Sequence, residues 1–133
     1  MDPEPVSALR AISLFADLDD DALTDLAACT TRVEAPAGTV LVEVGRPGAG
    51  LFVIEDGEVQ VDLAGRTVTR GPGDFVGEVA LLTDRPRTAR VRARTAVRCW
   101  ALSRKDFARL LEDHPRIAVR MLPALADRLA EAP

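Results

Sequence analysis

The sequence predicts a mostly β domain with helices on either flank, and three observations carry that reading. From residue 31 to 102, short stretches of Val, Leu and Thr are broken by Gly and Pro at the intervals of an all-β barrel or sandwich. On both sides of that region the apolar residues fall at helical spacing. The composition, 47% hydrophobic and 29% charged over 133 residues, fits one soluble globular domain able to bury a core without staples. We therefore divide residues 1–133, read as one domain, into N-terminal helices (1–30), a β region (31–102) and C-terminal helices (103–133).

Between Val6 and Cys29 the apolar positions Leu9, Ile12, Leu14, Phe15, Leu18, Leu23, Leu26 and Ala27 predict two short helices, interrupted by acidic residues from Asp17 to Asp21. Asp19, Asp20 or Asp21 is the expected N-cap of the second, because a carboxylate accepts from the orphan N–H groups of a first turn. The run is thus read as capping and not as metal ligation. Strands are expected at Thr39–Val42, Leu51–Ile54, Val59–Leu63 and Val97–Leu102. Gly38, Gly45, Gly48, Gly50, Gly57, Gly65, Gly71 and Gly73 punctuate them as turn residues of positive φ. Arg90, Arg92 and Arg94 alternate with Val91 and Ala93, which predicts a solvated outer face, and Trp100 is read as structural. After Ser103, an expected N-cap, Phe107, Leu110, Leu111, Ile117, Met121, Leu122, Leu125 and Leu129 mark two helices broken near His114-Pro115. Pro123 is expected to kink or restart the second, a candidate hinge. Leu122, Leu125 and Leu129 are candidates for a lid or a partner surface.

Several function classes find no support. Cys29 and Cys99 stand in unrelated contexts and are read as buried small hydrophobes, and the single His114 lacks the companions that a metal site or a triad needs. No nucleophile–base–orienter set and no Walker-type loop is present, so the chain is read as non-catalytic, with no catalytic residues, no metal and no cofactor. The net charge of −4 counts against direct nucleic-acid binding. No apolar run reaches the roughly 18 residues of a bilayer span, and the acidic start MDPEPVSALR carries no secretory pattern, so no membrane insertion and a cytoplasmic location are expected.

The most informative stretch is 75–91, FVGEVALLTDRPRTARV. Val79-Ala80-Leu81-Leu82 reads as one turn of helix with Gly77 and Glu78 at its N-terminus, where unpaired N–H groups and the positive end of the helix dipole favour an anion. Arg87 can complete such a site with paired, charge-assisted hydrogen bonds, and Pro86 stiffens its approach. A Gly-Glu pair alone is usually a helix cap.

This stretch resembles the phosphate-binding cassette of cyclic-nucleotide-binding domains, which runs Phe-Gly-Glu, a short apolar helix, then Pro-Arg-(Ala, Ser or Thr)-Ala. Here the matching residues are Phe75-Val76-Gly77-Glu78 and Pro86-Arg87-Thr88-Ala89. The resemblance implies an eight-stranded β-roll, jelly-roll-like, with N-terminal helices, a short cassette helix and C-terminal helices. It also implies that Glu78 accepts from the ribose 2′-hydroxyl and Arg87 pairs with the exocyclic phosphate oxygens. The N–H groups of Val79, Ala80, Thr88 and Ala89 would complete the anion nest around Gly77, and Val76 and Val68 would contact the purine. The ligand is expected to be cAMP, with cGMP as the alternative that Thr88 could favour. Residues 44–52 resemble a further family turn, but Ala49 stands where an acidic residue often steadies the cassette arginine.

The resemblance implies a bacterial-type cytoplasmic sensor that relays ligand capture through its C-terminal helices to a protein partner or a second copy. Two alternatives stay open: a protein-interaction domain that binds no nucleotide, and the sensor fragment of a transcription factor. The second is weakened because DNA-binding relatives continue into a helix-turn-helix where this chain reads Pro133.

Overall fold

The structure, a computed structural model, describes residues 4–42, 50–63, 65–77 and 89–131. Its contacts group into two units, residues 29–107 and residues 1–28 with 108–133.

The first unit holds the strands β1 (Thr31–Ala35), β2 (Val40–Val42), β3 (Gly50–Asp56), β4 (Val59–Leu63), β5 (Arg66–Arg70), β6 (Phe75–Val76), β7 (Arg90–Ala93) and β8 (Val97–Ser103). They form two four-stranded antiparallel sheets, ordered β1-β8-β3-β6 and β2-β7-β4-β5. The eight strands expected of the roll are therefore all among the described residues. One core cluster takes residues from both sheets: Ala35, Ile54, Val76, Val97 and Cys99 from the first, and Val42, Val59, Val91 and Ala93 from the second.

The two sheets differ in a way the sequence prints. In β4 and β7 the core positions Val59, Val61, Val91 and Ala93 alternate with polar neighbours, the pattern of a sheet with one dry face. The outward residues of that sheet form an ionic net, with Arg92 Nε 3.3 Å from Asp62 Oδ2 and Arg94 3.6 Å from Glu58. A hydrogen bond from Gln60, with help from Arg92, Thr67 and Arg90, holds the Asp62 carboxyl below its ordinary range. The arginines 90 to 94 thus lie on the solvated face that the alternation predicts. In β3 and β8, by contrast, consecutive residues are buried: Leu51, Val53 and Ile54, then Cys99, Trp100 and Leu102. A sheet buried on both faces explains why Leu51-Phe52-Val53-Ile54 reads as an unbroken apolar run.

Directly after that run, β3 carries the Glu55 carboxylate, with a side chain only 16% exposed. Its Oε1 accepts from Arg32 Nη2 and from Trp100 Nε1, each at 2.8 Å, and its Oε2 accepts from Arg98 Nη1 at 3.1 Å. The Arg32 guanidinium also stacks over the Trp100 ring, 4.6 Å from its centroid. Burial alone would raise the Glu55 carboxyl, yet the hydrogen bonds from Arg32, Arg98 and Trp100 outweigh it and hold the group below its ordinary value of 4.5. One side chain thereby ties β1, β3 and β8 together. Burial pushes the Cys99 thiol up to about 11, so it stays a neutral core residue; Cys29 is half-buried.

Gly38, Gly57, Gly65 and Gly73 have the positive φ expected of turn residues. Gly50 and Gly71 do not, and at Gly50 the reason is close approach: a Cβ there would lie 2.1 Å from the Leu102 carbonyl oxygen of the neighbouring strand.

The second unit contains α1 (Glu4–Arg10), a 3-10 turn (Ser13–Phe15) and α2 (Asp20–Cys29); α3 (Arg104–Asp113) runs into it from the first unit, and α4 (Arg116–Glu131) completes it. Asp19 caps α2, its Oδ1 accepting from the Ala22 N–H at 2.9 Å, and Ser103 caps α3, its Oγ accepting from the Asp106 N–H at 3.1 Å. The break between α3 and α4 falls at His114-Pro115, as expected. His114 has a structural neighbour, its Nε2 lying 3.5 Å from Asp25 Oδ2. Pro123 lies inside α4, which continues through it. Its ring removes one helical N–H without ending the helix. No helix among the described residues is long and apolar enough to cross a membrane.

Two predictions follow from this packing. Gly50→Ala should destabilise by about 2 kcal/mol through overpacking against backbone, whereas Gly65→Ala, which meets nothing within 4 Å, should cost only the roughly 1 kcal/mol of a positive φ; urea midpoints of the two variants compare them directly. Because the folded Glu55 is held below its ordinary value, its contribution is complete above about pH 4.5 and is lost as the pH falls through its lowered folded value. Glu55→Gln should therefore flatten the acid limb of a stability-versus-pH curve and lower stability by about 2 kcal/mol at pH 7. An unchanged acid limb would count against the network.

Candidate functional site

The described site frame is set by a turn. Gly71-Pro72-Gly73-Asp74 closes with the Asp74 N–H donating to the Gly71 carbonyl at 3.0 Å. Pro fits its second position and Gly73, at φ +89, its third, the chemistry of a type II turn. Two backbone bonds moor it to β3: Gly73 N–H to the Ile54 carbonyl and Ile54 N–H to the Asp74 carbonyl, both 2.8 Å. They fix where β6 begins. Phe75 and Val76 then pair with Val53 and Phe52, and the chain leaves β6 at Gly77, whose φ of +95 other residues rarely adopt.

Chain order and register place the two ends of the cassette. Segment 78–88 leaves β6 of one sheet and returns as β7 of the other, so it joins the two sheets. In the β4–β7 pair, Val61 faces Val91 and Asp62 faces Arg90, which sets Ala89 level with Leu63. In the other sheet Gly77 follows Val76, which pairs with Phe52 near the start of β3. Only Gly57 and Glu58 separate β3 from β4, so the start of β3 and the finish of β4 lie at one end of the roll. Gly77 and Ala89 share that end.

The core is less completely filled there. Along β4, Val59 is fully buried, while Val61 and Leu63 are half-buried; Val68, across from Val61 on β5, is also half-buried. The inner face thus carries apolar side chains that the protein itself leaves partly uncovered. Arg66 pairs with Leu63 and brings a cation to the same end. It escaped the motif reading, although its two-residue spacing from Val68 is the signal that places both on one strand face.

Of the predicted site residues, Val68, Val76, Gly77 and Ala89 are described. By register Gly77 and Ala89 fall at the end just defined, and Val68, across from Val61, lies two residues in from it. Val76 is 3% exposed and belongs to the core cluster, so its side chain is spent on packing. Glu78, Val79, Ala80, Arg87 and Thr88, the cassette helix, and Ala49 lie outside the described residues.

A separate groove of about 400 Å³ lies at the opposite end of the roll, lined by Glu34, Ala35, Pro36, Asp56, Ala96, Val97 and Arg98. It shares no residue with the cassette. Among the described residues, no three His, Cys, Asp or Glu side chains are grouped to hold a metal ion.

The family model described as "Cyclic nucleotide-binding domain" matches residues 32–114. The chain is 36% identical over 110 residues to a cyclic nucleotide-gated potassium channel of Mesorhizobium japonicum, covering 83% of this chain and 31% of the channel. It is likewise 36% identical over 106 residues to a cAMP-dependent protein kinase regulatory subunit of Aspergillus fumigatus, covering 77% of this chain and 26% of the subunit. The chain thus spans about a third or less of these curated relatives. Among solved structures it resembles a cAMP-binding acyltransferase from Mycobacterium smegmatis, with a TM-score of 0.81 and 32% identity over 96% of this chain and 41% of that one.

Proposed function

Because the chain belongs to the cyclic nucleotide-binding domain family, we propose that it captures a cyclic nucleotide, cAMP before cGMP, at the cassette joining β6 to β7 and passes the event on as a regulatory module. The observation that carries this reading is the convergence of Gly77, Ala89 and the half-buried wall of Val61, Leu63 and Val68 at one end of the roll. A cyclic nucleotide has a matching division: an anionic phosphodiester for the cassette and a flat, largely apolar base for the wall. The names of the relatives, a channel gated by cyclic nucleotides, a cAMP-dependent kinase subunit and a cAMP-binding acyltransferase, support the same ligand class.

In this reading Arg87 pairs with the exocyclic phosphate oxygens and the N–H groups of Val79, Ala80, Thr88 and Ala89 surround them. A carboxylate beside a phosphate is repelled unless it gains a donor, and the ribose 2′-hydroxyl is that donor for Glu78. The module is cytoplasmic and non-catalytic, and the relay runs through the C-terminal helices. Leu122 and Leu129 of α4, 59% and 78% exposed, offer the surface for a protein partner or a second copy.

Isothermal titration with cAMP tests the assignment. Arg87→Ala removes charge-assisted hydrogen bonds worth about 1.5–3 kcal/mol each, so affinity should fall by roughly tenfold to a hundredfold. Equal affinities would remove Arg87 from the site. In a thermal-shift comparison, nucleotide at about a hundredfold over its dissociation constant should add about 2.7 kcal/mol. No shift with cAMP or cGMP would favour the nucleotide-free interaction domain that Ala49 suggests.

A further inference from the structure

Helix α4 buries side chains along only part of its length. Its buried residues are Ile117 and Met121, and from Leu122 to Ala130 every residue is exposed or half-buried. Between those two anchors stands Arg120, whose Nε donates to Asp17 Oδ2 at 2.7 Å and whose Nη2 donates to Asp17 Oδ1 at 2.8 Å. This is a two-pronged guanidinium–carboxylate fork, the geometry that gives an arginine pair its strength and direction. It joins positions 103 residues apart in the chain. Asp17 lies just past the 3-10 turn, in the stretch that leads to the Asp19 cap of α2.

Asp17 opens the acidic run whose later members Asp19, Asp20 and Asp21 are the expected caps of α2, and Asp19 makes the cap bond described. Asp17 therefore has a different job. Hydrogen bonding to Arg120 holds the Asp17 carboxyl below its ordinary range and raises Arg120, in keeping with a pair that stays charged at neutral pH. Both side chains keep substantial solvent exposure, 42% for Arg120 and 36% for Asp17. An exposed pair biases an equilibrium only a few-fold, and salt screens it. A fastener of that strength holds a helix without locking it.

We propose that the Asp17–Arg120 pair is an ionic latch that holds the first turns of α4 on the N-terminal segment and so sets how readily the remainder, which buries no side chain and carries the exposed Leu122 and Leu129, swings away. This deepens the reading above, in which the C-terminal helices carry the signal, because it names the contact that must open for α4 to move. The latch needs no change in the roll, and its control is electrostatic: anything that neutralises or competes for either partner loosens the helix by the few-fold that the pair contributes.

Hydrogen exchange read by mass spectrometry on the whole chain tests the latch without ligand. In Arg120→Ala and in Asp17→Ala, amides of 116–131 should exchange about threefold faster while those of β8 keep the wild-type rate. The charge swap Asp17→Arg with Arg120→Asp should restore most of the protection. Raising salt from about 50 mM to 500 mM should loosen α4 in the wild type and leave Arg120→Ala unaffected. Equal exchange in wild type and Arg120→Ala, or a swap that restores nothing, overturns the latch. Failure of cAMP to bind the wild type in a separate titration overturns the proposed ligand and leaves these exchange differences as the measure of the latch.

Discussion

Strand β3 is the constraint on which the rest of the roll depends. It lies between β8 and β6, its Ile54 backbone moors the 71–74 turn through both its N–H and its carbonyl, and its Glu55 carboxylate gathers Arg32, Arg98 and Trp100 on the opposite face. Successive residues of one strand thus act in three directions. The exit at Gly77 inherits its position from this arrangement, because β6 is only two residues long and is placed by the turn before it and by Phe52 and Val53 beside it. A shift of β3 by one residue would put Glu55 in the core and Ile54 outside, exchanging a satisfied carboxylate for a buried orphan.

The same register explains why the inner core is closed at one end of the roll and carries half-buried apolar side chains toward the other. At the Val59 end, the tight Gly57–Glu58 connection is held by Thr95, whose hydroxyl accepts from the Glu58 N–H, and by the Arg94 N–H on the Glu58 carbonyl. The core beside it is fully closed, with Val59 and Ile54 both at 0% exposure. Toward Leu63 the facing side chains become half-buried while remaining apolar. A protein that needed only stability would fill that end, since a partly covered apolar wall forfeits transfer free energy of the order of 25 cal/mol per Å². Leaving it open makes sense when something else covers it.

Much of this was legible in the sequence because it rests on local rules. The span of β4, the break at His114-Pro115, the caps at Asp19 and Ser103 and the positive φ of Gly73 each follow from neighbours within a few residues. Of the candidate site, the cassette motif could be picked out because motif spacing is local too. What escaped is what distant residues do together. Nothing near Glu55 in the sequence announces that Arg32 and Trp100 will meet on it, and Gly50 looks like a turn residue until Leu102 is found against it. Asp17 sits within an acidic run whose obvious use is capping, and its partner lies 103 residues away.

These long-range contacts divide the chain by how firmly each part is held, and that division constrains any relay. A signal can pass only through an element with two accessible arrangements whose balance a ligand can tip. The roll is a poor candidate: its strands pair along most of their length, its core is buried, and its Glu55 carboxylate is engaged by three donors. Helix α4 has two buried anchors, Ile117 and Met121, the exposed Asp17–Arg120 pair, and no buried side chain from Leu122 to Ala130. The ion pair itself adds only a few-fold to the balance between held and released helix, so a modest differential affinity is enough to offset it. Rigidity in the roll and slack in the helix are therefore complementary: the roll fixes Gly77 and Ala89, the residues on either side of segment 78–88, and α4 buries no side chain from Leu122 to Ala130.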